Sequence, residues 1–184
     1  MFSHCEFEQY EHFQKMSFRN RCTLLGANGK IDLSIPLIGG RSQKTLVKDV
    51  LIDNKENWRA RHWKTITSCY NKSPWFDFYR HELEQLYSSK PELLIDWNTA
   101  CFKWICDKMS ITIPWSLTGS YIKNYDPAEV KDWRNHLLPS TINDLYPSPK
   151  RYPQVFEDRF GFVPNLSILD YLFCMGNRIW KPVL

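Results

Sequence analysis

The densest group of polar side chains lies near the start of the sequence, between Gln14 and Arg21. Its candidate ligand-binding members are Lys15, Arg19, Asn20 and Arg21. Arg19 and Arg21 are two positions apart, so on a β-strand both would point to one face. Two guanidinium groups on one face can hold a phosphate or a carboxylate through paired hydrogen bonds. The alternative is an exposed strand face whose arginines pair with carboxylates of the protein, and the spacing leaves both interpretations open.

His62 is the candidate acid or base. It lies in a stretch that predicts a helix, and imidazole exchanges protons near neutral pH. The spacing pairs His62 with no nucleophile, and a catalytic assignment needs a geometry that spacing does not supply. A histidine on the helix surface, or one satisfied in the core, is therefore the interpretation that the sequence favours.

The six cysteines contain no C-x-x-C pair, so neither a disulfide scaffold nor a metal site is expected. A Cys–His pair is formally available. Cys101 and Cys174, however, lie on apolar stripes, where a cysteine behaves as a small hydrophobic residue. The sequence also lacks the signature motifs of nucleotide-binding, serine hydrolase and zinc protease sites. The sequence therefore leaves the cofactor unknown.

Composition places the chain among globular proteins. Its 184 residues are 43% hydrophobic and 15% aromatic, which suits one domain with a buried core. The formal charge of +4 arises from 24 basic and 20 acidic residues spread along the chain, so no nucleic-acid partner is expected. No apolar run reaches the ~18 residues that cross a bilayer, and the start does not resemble a signal peptide. A cytoplasmic protein without a membrane span is expected.

A β-hairpin is predicted to carry the cationic residues. Residues 30–37 alternate apolar and polar side chains, which is typical of a half-buried strand. Asn28-Gly29 supplies the positive φ angles of a tight turn, so residues 19–25 should form the antiparallel partner. A loop at 39–43 and a third strand at 46–52 are predicted to follow.

The middle of the chain predicts helices at 55–70, 76–88 and 91–109, because apolar residues recur there at three- and four-residue spacing. On the third helix and on the last one, side chains of the apolar stripes are expected to be buried. They are Trp97, Cys101, Trp104, Leu169 and Leu172.

A short strand is predicted at 111–117. Proline and glycine interrupt 119–153, which should be mostly loop with a helix near 127–136. A short buried helix is expected between Pro164-Asn165 and Gly176. Strands first, helices next and a mixed end predict an α/β or α+β fold.

Several ordered blocks carry a family resemblance. The early blocks are Phe13-Gln14-Lys15-x-x-Phe18-Arg19-Asn20-Arg21-Cys22, Asn28-Gly29 with Leu33-x-Ile35-Pro36, Ile52-x-Asn54-x-x-x-Trp58-x-x-x-His62-Trp63, and Tyr70-x-x-x-Pro74-x-Phe76. The late blocks are Lys150-x-Tyr152-x-Gln154-Val155-Phe156 and the run from Gly161 to Asp170. Together they resemble the WbqC-like family of bacterial surface-polysaccharide gene clusters, over nearly the whole chain.

The resemblance implies a role in assembling or decorating O-antigen, lipopolysaccharide or a related surface polysaccharide. It implies an acyl- or aminoacyl-type transferase acting on a nucleotide-linked or amino sugar, and the alternative is a non-catalytic partner or scaffold of the same pathway. Lys15, Arg19 and Arg21 would then be the counter-charges of an anionic small molecule or nucleotide sugar. Asn20 and Gln154 would orient that ligand, and His62 would be the acid or base. We expect Lys15, Arg19, Asn20, Arg21 and His62 to converge on one concave, solvent-reachable surface near Gln154.

The chain departs from the family pattern in two places. Residues 1–184 are expected to form a single WbqC-like domain without the first strand and turn that usually open family members. Within 119–153, the Tyr-Leu-Ser-Gly stretch of many longer relatives has no equivalent. The resemblance does not indicate an oligomeric state.

Overall fold

The computed structural model describes residues 4–39 and 44–178. Its central helices follow the predicted periodicity closely. They are α1 (Trp58–Tyr70), α2 (Phe76–Ser88) and α3 (Leu94–Lys108). Two one-turn helices, α4 (Ile142–Leu145) and α5 (Glu157–Phe160), precede the last described helix, α6 (Ile168–Met175). Helices and small sheets in this order confirm the mixed α/β fold.

The predicted hairpin is present. Strands β2 (Arg21–Gly26) and β3 (Gly29–Ser34) pair antiparallel, with Gly26 opposite Gly29. The two-residue loop is Ala27-Asn28, one position earlier than predicted, and the positive φ angle (111°) falls on the glycine that closes the loop. Glycine adopts this backbone conformation without steric cost.

Strand β2 begins at Arg21, so the prediction of a strand from residue 19 is wrong at its start. Phe18–Asn20 form a 3-10 turn instead. The carbonyl of Arg19 accepts a hydrogen bond of 2.8 Å from the side chain of Asn98 on α3, which takes the place of a strand partner. The two arginines therefore do not share a strand face.

The prediction of a continuous third strand at 46–52 is also wrong. Val47–Asp49 form a 3-10 turn, and the flanking residues make isolated bridges with three separate segments. The amide of Val47 donates to the carbonyl of Glu11, and that of Lys48 donates to the carbonyl of Gln9. Because the backbone changes partner every one or two residues, no ladder extends along it.

The structure contains a parallel pair of strands that the sequence did not predict. Strand β1 (Cys5–Phe7) pairs with β4 (Trp115–Leu117), and Cys5 is opposite Trp115. The strand predicted at 111–117 is thus reduced to its last three residues. Residues 127–136 form turns, not the predicted helix, because Arg134 folds back onto Asp132 and the carbonyl of Ile122, and Asn135 has a φ angle of 61°.

One cluster of buried apolar side chains joins the hairpin, the three central helices and α6. Its fully buried members include Leu24, Trp58, Tyr70, Phe76 and Phe173. Trp97, Leu169 and Leu172 are buried as predicted, and Cys101 and Trp104 are partly buried against the cluster. Of the helices in the described ranges, none combines the length and the apolar character that a membrane crossing requires.

Candidate ligand-binding cavity

A cavity of about 270 Å³ lies where the hairpin, helices α1 to α3 and the start of α6 meet, and we call it the hairpin cavity. Its wall is mostly apolar and aromatic, with contributions from Leu33, Leu83, Tyr87, Trp97 and Ile105. Four of the predicted site residues line it: Arg19, Asn20, Arg21 and His62. The hairpin therefore brings the cationic run of the sequence to the histidine of α1.

Arg21, the first residue of β2, is the cation that the cavity leaves without a counter-charge. Its Nε atom is buried and has no hydrogen-bond partner in the described part of the chain. No described carboxylate pairs with its guanidinium, and none of the described residues that line the cavity is Asp or Glu. A buried donor without a partner costs roughly 1–3 kcal/mol, and more when it is charged. An anion in the cavity would give the Arg21 guanidinium the counter-charge that it lacks.

Arg19 also lines the cavity, but unlike Arg21 it has a counter-charge. Its guanidinium forms an ion pair with Glu11, and both side chains are largely buried. Glu11 lies outside the hairpin cavity, in the wall of a second cavity that shares Arg19 and Asn98 with it. The two-arginine clamp considered from the sequence is therefore reduced to one unpaired guanidinium.

Asn20 fastens the turn that precedes β2. Its side-chain amide donates a hydrogen bond of 3.0 Å to the carbonyl of Ile35, and its own carbonyl accepts one of 2.8 Å from the amide of Ile35. These two bonds hold the turn against the end of β3. Asn20 thereby fixes the backbone from which Arg21 projects.

His62 is a buried histidine with one ring nitrogen already engaged. Its Nε2 atom lies 3.1 Å from the carbonyl oxygen of Ser34, which can only accept, so Nε2 carries the proton. The ring packs edge-on against Trp58 at 5.1 Å between centroids. Burial, partly offset by the bond to Ser34, lowers the pKa of His62 below its ordinary 6.5, so the ring is neutral at pH 7. Nδ1 is then left as an acceptor.

Lys15 and Gln154 are placed elsewhere, since neither belongs to the described residues that line the hairpin cavity. The side chain of Gln154 donates 2.9 Å to the carbonyl of Val163 and accepts 2.8 Å from the amide of the same residue. It also donates 3.3 Å to Asp170. Through these contacts Gln154 holds the loop that contains Val163 against α6.

Several residues of the cavity carried no signal in the sequence. Trp104 has a buried Nε1 atom without a hydrogen-bond partner in the described ranges. Because Trp104 lies on the apolar stripe of α3, the sequence predicts only that its side chain belongs to the core. Cys22 and Cys101 also line the cavity, and burial raises the pKa of their thiols to about 11 and about 12. Both thiols are therefore protonated at neutral pH and are poor nucleophiles.

Metal-ligating side chains do not gather in this region. Within residues 4–39 and 44–178, no group of three or more His, Cys, Asp or Glu side chains is arranged to hold a metal ion. Cys22, Cys101 and His62 all line the cavity without forming such a group.

The fold and the cavity together define a mixed α/β protein with a largely apolar chamber that contains hydrogen-bond donors and an unpaired arginine. The chain belongs to the WbqC-like protein family, whose model matches residues 5–141. This match includes the hairpin, α1, α2 and α3, and hence most of the cavity wall. Neither a curated protein nor a solved structure matches the chain significantly.

Proposed function

We propose that this protein binds a small anionic molecule in the hairpin cavity and serves the biosynthesis of a bacterial surface polysaccharide such as O-antigen. The observation that carries the binding proposal is the charge of Arg21, which lines the cavity without a carboxylate partner in the described chain and has an Nε atom without a hydrogen-bond partner there. Membership of the WbqC-like family supports the pathway.

A transferase acting on a nucleotide-linked or amino sugar is the first form of this function. His62 would be its base, since the Nδ1 atom of the neutral ring can accept a proton from a bound substrate. The protonated thiols of Cys22 and Cys101 leave direct transfer between two bound substrates as the simpler route, because a covalent cysteine intermediate would need a thiolate.

A non-catalytic ligand-binding partner in the same pathway is the second form. It is favoured by one contact: the Nε2 proton of His62 is held by the carbonyl of Ser34, as in a structural histidine. A volume of about 270 Å³ also falls just below the ~300–1,000 Å³ of pockets that enclose drug-sized ligands. A whole nucleotide sugar would extend outside, with one end in the cavity.

Two broader features belong to the same proposal. One hydrophobic cluster runs from Phe13 to Phe173, which supports a single domain. All six cysteines are free thiols, and this supports a location in the cytoplasm, where the environment is reducing.

The experiment is a thermal-shift screen followed by calorimetry, with carboxylates, phosphates and UDP-glucose as probes. A ligand of the native state raises the melting temperature by mass action. Arg21→Gln should abolish the shift. Arg61→Gln should keep it, because Arg61 is 65% exposed on the outer face of α1 and paired with Glu56. Equal binding by a folded Arg21→Gln variant would overturn the proposal.

The choice between the two forms is made with His62→Gln, which can keep a donor to Ser34. Normal ligand affinity without turnover in the variant would assign His62 to catalysis. A ligand that binds and is not turned over by the native protein with any sugar acceptor would assign the protein to the non-catalytic form.

A further inference from the structure

We infer that the ligand of the hairpin cavity is a monocarboxylic acid with a compact apolar body, such as a short-chain fatty acid or an arylacetic acid. This inference rests on the proposed function and narrows it to one chemical class. It follows from the charge, the lining and the volume of the cavity.

The charge of the cavity matches one negative charge. Arg21 has no counter-charge in the described chain, whereas Arg19 is already paired with Glu11. A dianionic phosphate would place a second negative charge against apolar walls, where an uncompensated charge is costly. A carboxylate carries a single charge and accepts two parallel hydrogen bonds from a guanidinium.

The polar atoms of the cavity also select an acid over an amine. The buried Nε of Arg21 and the buried Nε1 of Trp104 are both donors without a partner in the described chain. The acidic side chains of the region, Glu6, Glu8 and Glu11, line the neighbouring cavity instead. An ammonium group in the hairpin cavity would meet the positive charge of Arg21 and no described carboxylate, with Nδ1 of His62 as a neutral acceptor.

The remaining wall fits an apolar body. Leu33, Leu83, Trp97, Ile105 and Leu169 line the cavity, and Tyr87 adds an aromatic face. Each methylene group moved from water into such surroundings strengthens binding about fourfold.

Volume sets the length of that body. At roughly 30 Å³ for each water-sized group, the cavity of about 270 Å³ has room for roughly nine groups. Hexanoate and phenylacetate are close to that size. Affinity should therefore rise from butyrate to hexanoate and fall for chains long enough to leave the cavity.

The test compares head groups on one constant body. Hexanoate, hexanamide, hexylamine and hexyl phosphate are titrated into the full chain by calorimetry, with butyrate as the short acid. We expect hexanoate to bind at least tenfold more tightly than the amide and the amine, and about sixteenfold more tightly than butyrate. Arg21→Gln should erase the preference for the acid over the amide, and Arg61→Gln should preserve it.

A second pair of variants tests the apolar body without changing charge. Cys101→Leu adds volume inside the cavity and should weaken hexanoate more than butyrate. Cys101→Ser keeps the size of the side chain and should retain the preference for the longer acid. The indole N–H signal of Trp104, identified with Trp104→Phe, should move when hexanoate is added. The signal of Trp133, which lines the neighbouring cavity and is not among the described residues of this one, should not move.

The outcomes separate this inference from the function on which it rests. Arg21-dependent binding of hexyl phosphate or UDP-glucose that is tighter than that of hexanoate would overturn the monocarboxylate and leave the anion site standing. Binding of none of these anions in an Arg21-dependent way would overturn both. Hexanoate binding that leaves the Trp104 signal unchanged would also overturn the inference, because the acid would then lie outside this cavity.

Discussion

The hydroxyl of Tyr70, the last residue of α1, donates a hydrogen bond of 2.8 Å to Oδ1 of Asp170 in α6. The same hydroxyl accepts a bond of 3.3 Å from the amide of Leu25 in β2. Tyr152 and Gln154 donate to the other carboxylate oxygen, at 2.8 and 3.3 Å. Asp170 is 1% exposed, so this network joins the hairpin, α1 and α6 inside the core. It holds in place the start of α6, which forms one wall of the hairpin cavity.

Removing the Tyr70 hydroxyl should destabilise the fold. Tyr70→Phe leaves the Leu25 amide and one oxygen of Asp170 without their partner, and unmet buried groups of this kind cost about 1–3 kcal/mol. Urea unfolding measures the loss. Tyr146→Phe is the control, since Tyr146 is 41% exposed and should change the free energy of unfolding little. Equal stability of the two variants would show that the network contributes nothing.

The same carboxylate should make stability depend on pH. Burial raises the pKa of Asp170 above its ordinary 3.8, and the three donated hydrogen bonds offset only part of that effect. The folded protein therefore binds this proton more tightly than the unfolded chain does. Its contribution to the free energy of unfolding is fully present below about pH 3.8 and is lost as pH rises through the raised pKa.

The measurement is the difference in unfolding free energy between the native protein and Asp170→Asn across that pH range. Other carboxylates largely cancel in the difference. The stability advantage of the native protein over Asp170→Asn should shrink as pH rises, and it should level off above the raised pKa of Asp170. A difference that instead grows in favour of the native protein with rising pH would mean that the donors outweigh burial.

His62 should produce the opposite dependence. Burial lowers its pKa, so the unfolded chain takes up a proton at about pH 6.5 while the folded protein stays neutral. Its contribution to stability is present above pH 6.5 and is lost as pH falls through the lowered pKa. The stability difference from His62→Gln should shrink over that interval. NMR titration of the imidazole gives the pKa directly, and a value at or above 6.5 would contradict this account.

Gly176 should tolerate no larger side chain. It follows α6 with a φ angle of 69°, and an added Cβ would lie 2.8 Å from Trp75 Cδ2. Gly161 is a matched control, because its φ angle of 68° is nearly the same and nothing lies within 4 Å of an added Cβ. Gly161→Ala should lose roughly 1–3 kcal/mol from the backbone conformation alone, because φ 68° with ψ −172° is a conformation that almost only glycine adopts. Gly176→Ala should lose clearly more free energy of unfolding, because the added Cβ would also clash with Trp75. Thermal or urea unfolding measures both losses. Equal losses in the two variants would mean that the Trp75 side chain moves aside at no cost.

The elements that the sequence predicted well are those with a local cause. The hairpin follows from alternation and from a glycine that supplies positive φ, and α2 follows from its apolar stripe. Strand β1 has only three residues, and its partner Trp115 lies 110 positions away from Cys5, so no local pattern marks it. The turn at Val47–Asp49 lies in an apolar stretch typical of a strand, and its several backbone partners come from distant segments.

The cavity was predictable only in part, for the same reason. The sequence placed Arg19, Arg21 and His62 in one group of candidates, and all three line the cavity. It could not indicate that Glu11 pairs with Arg19 and leaves Arg21 unpaired, because the choice between the two arginines depends on the tertiary fold. Trp104 could not be recognised either, since whether its indole nitrogen has a partner depends on tertiary packing.

The most direct test of the central claim is the NMR signal of the Arg21 Nε–H group in the native protein, assigned with Arg21→Gln. Hexanoate should shift this signal in a saturable way and leave the Nε–H signal of Arg61 in place, because the carboxylate binds at the half-buried Arg21 guanidinium, which has no protein counter-charge in the described chain. An Arg21 signal that is unchanged by hexanoate, by hexyl phosphate and by UDP-glucose would contradict the assignment of the hairpin cavity as an anion site.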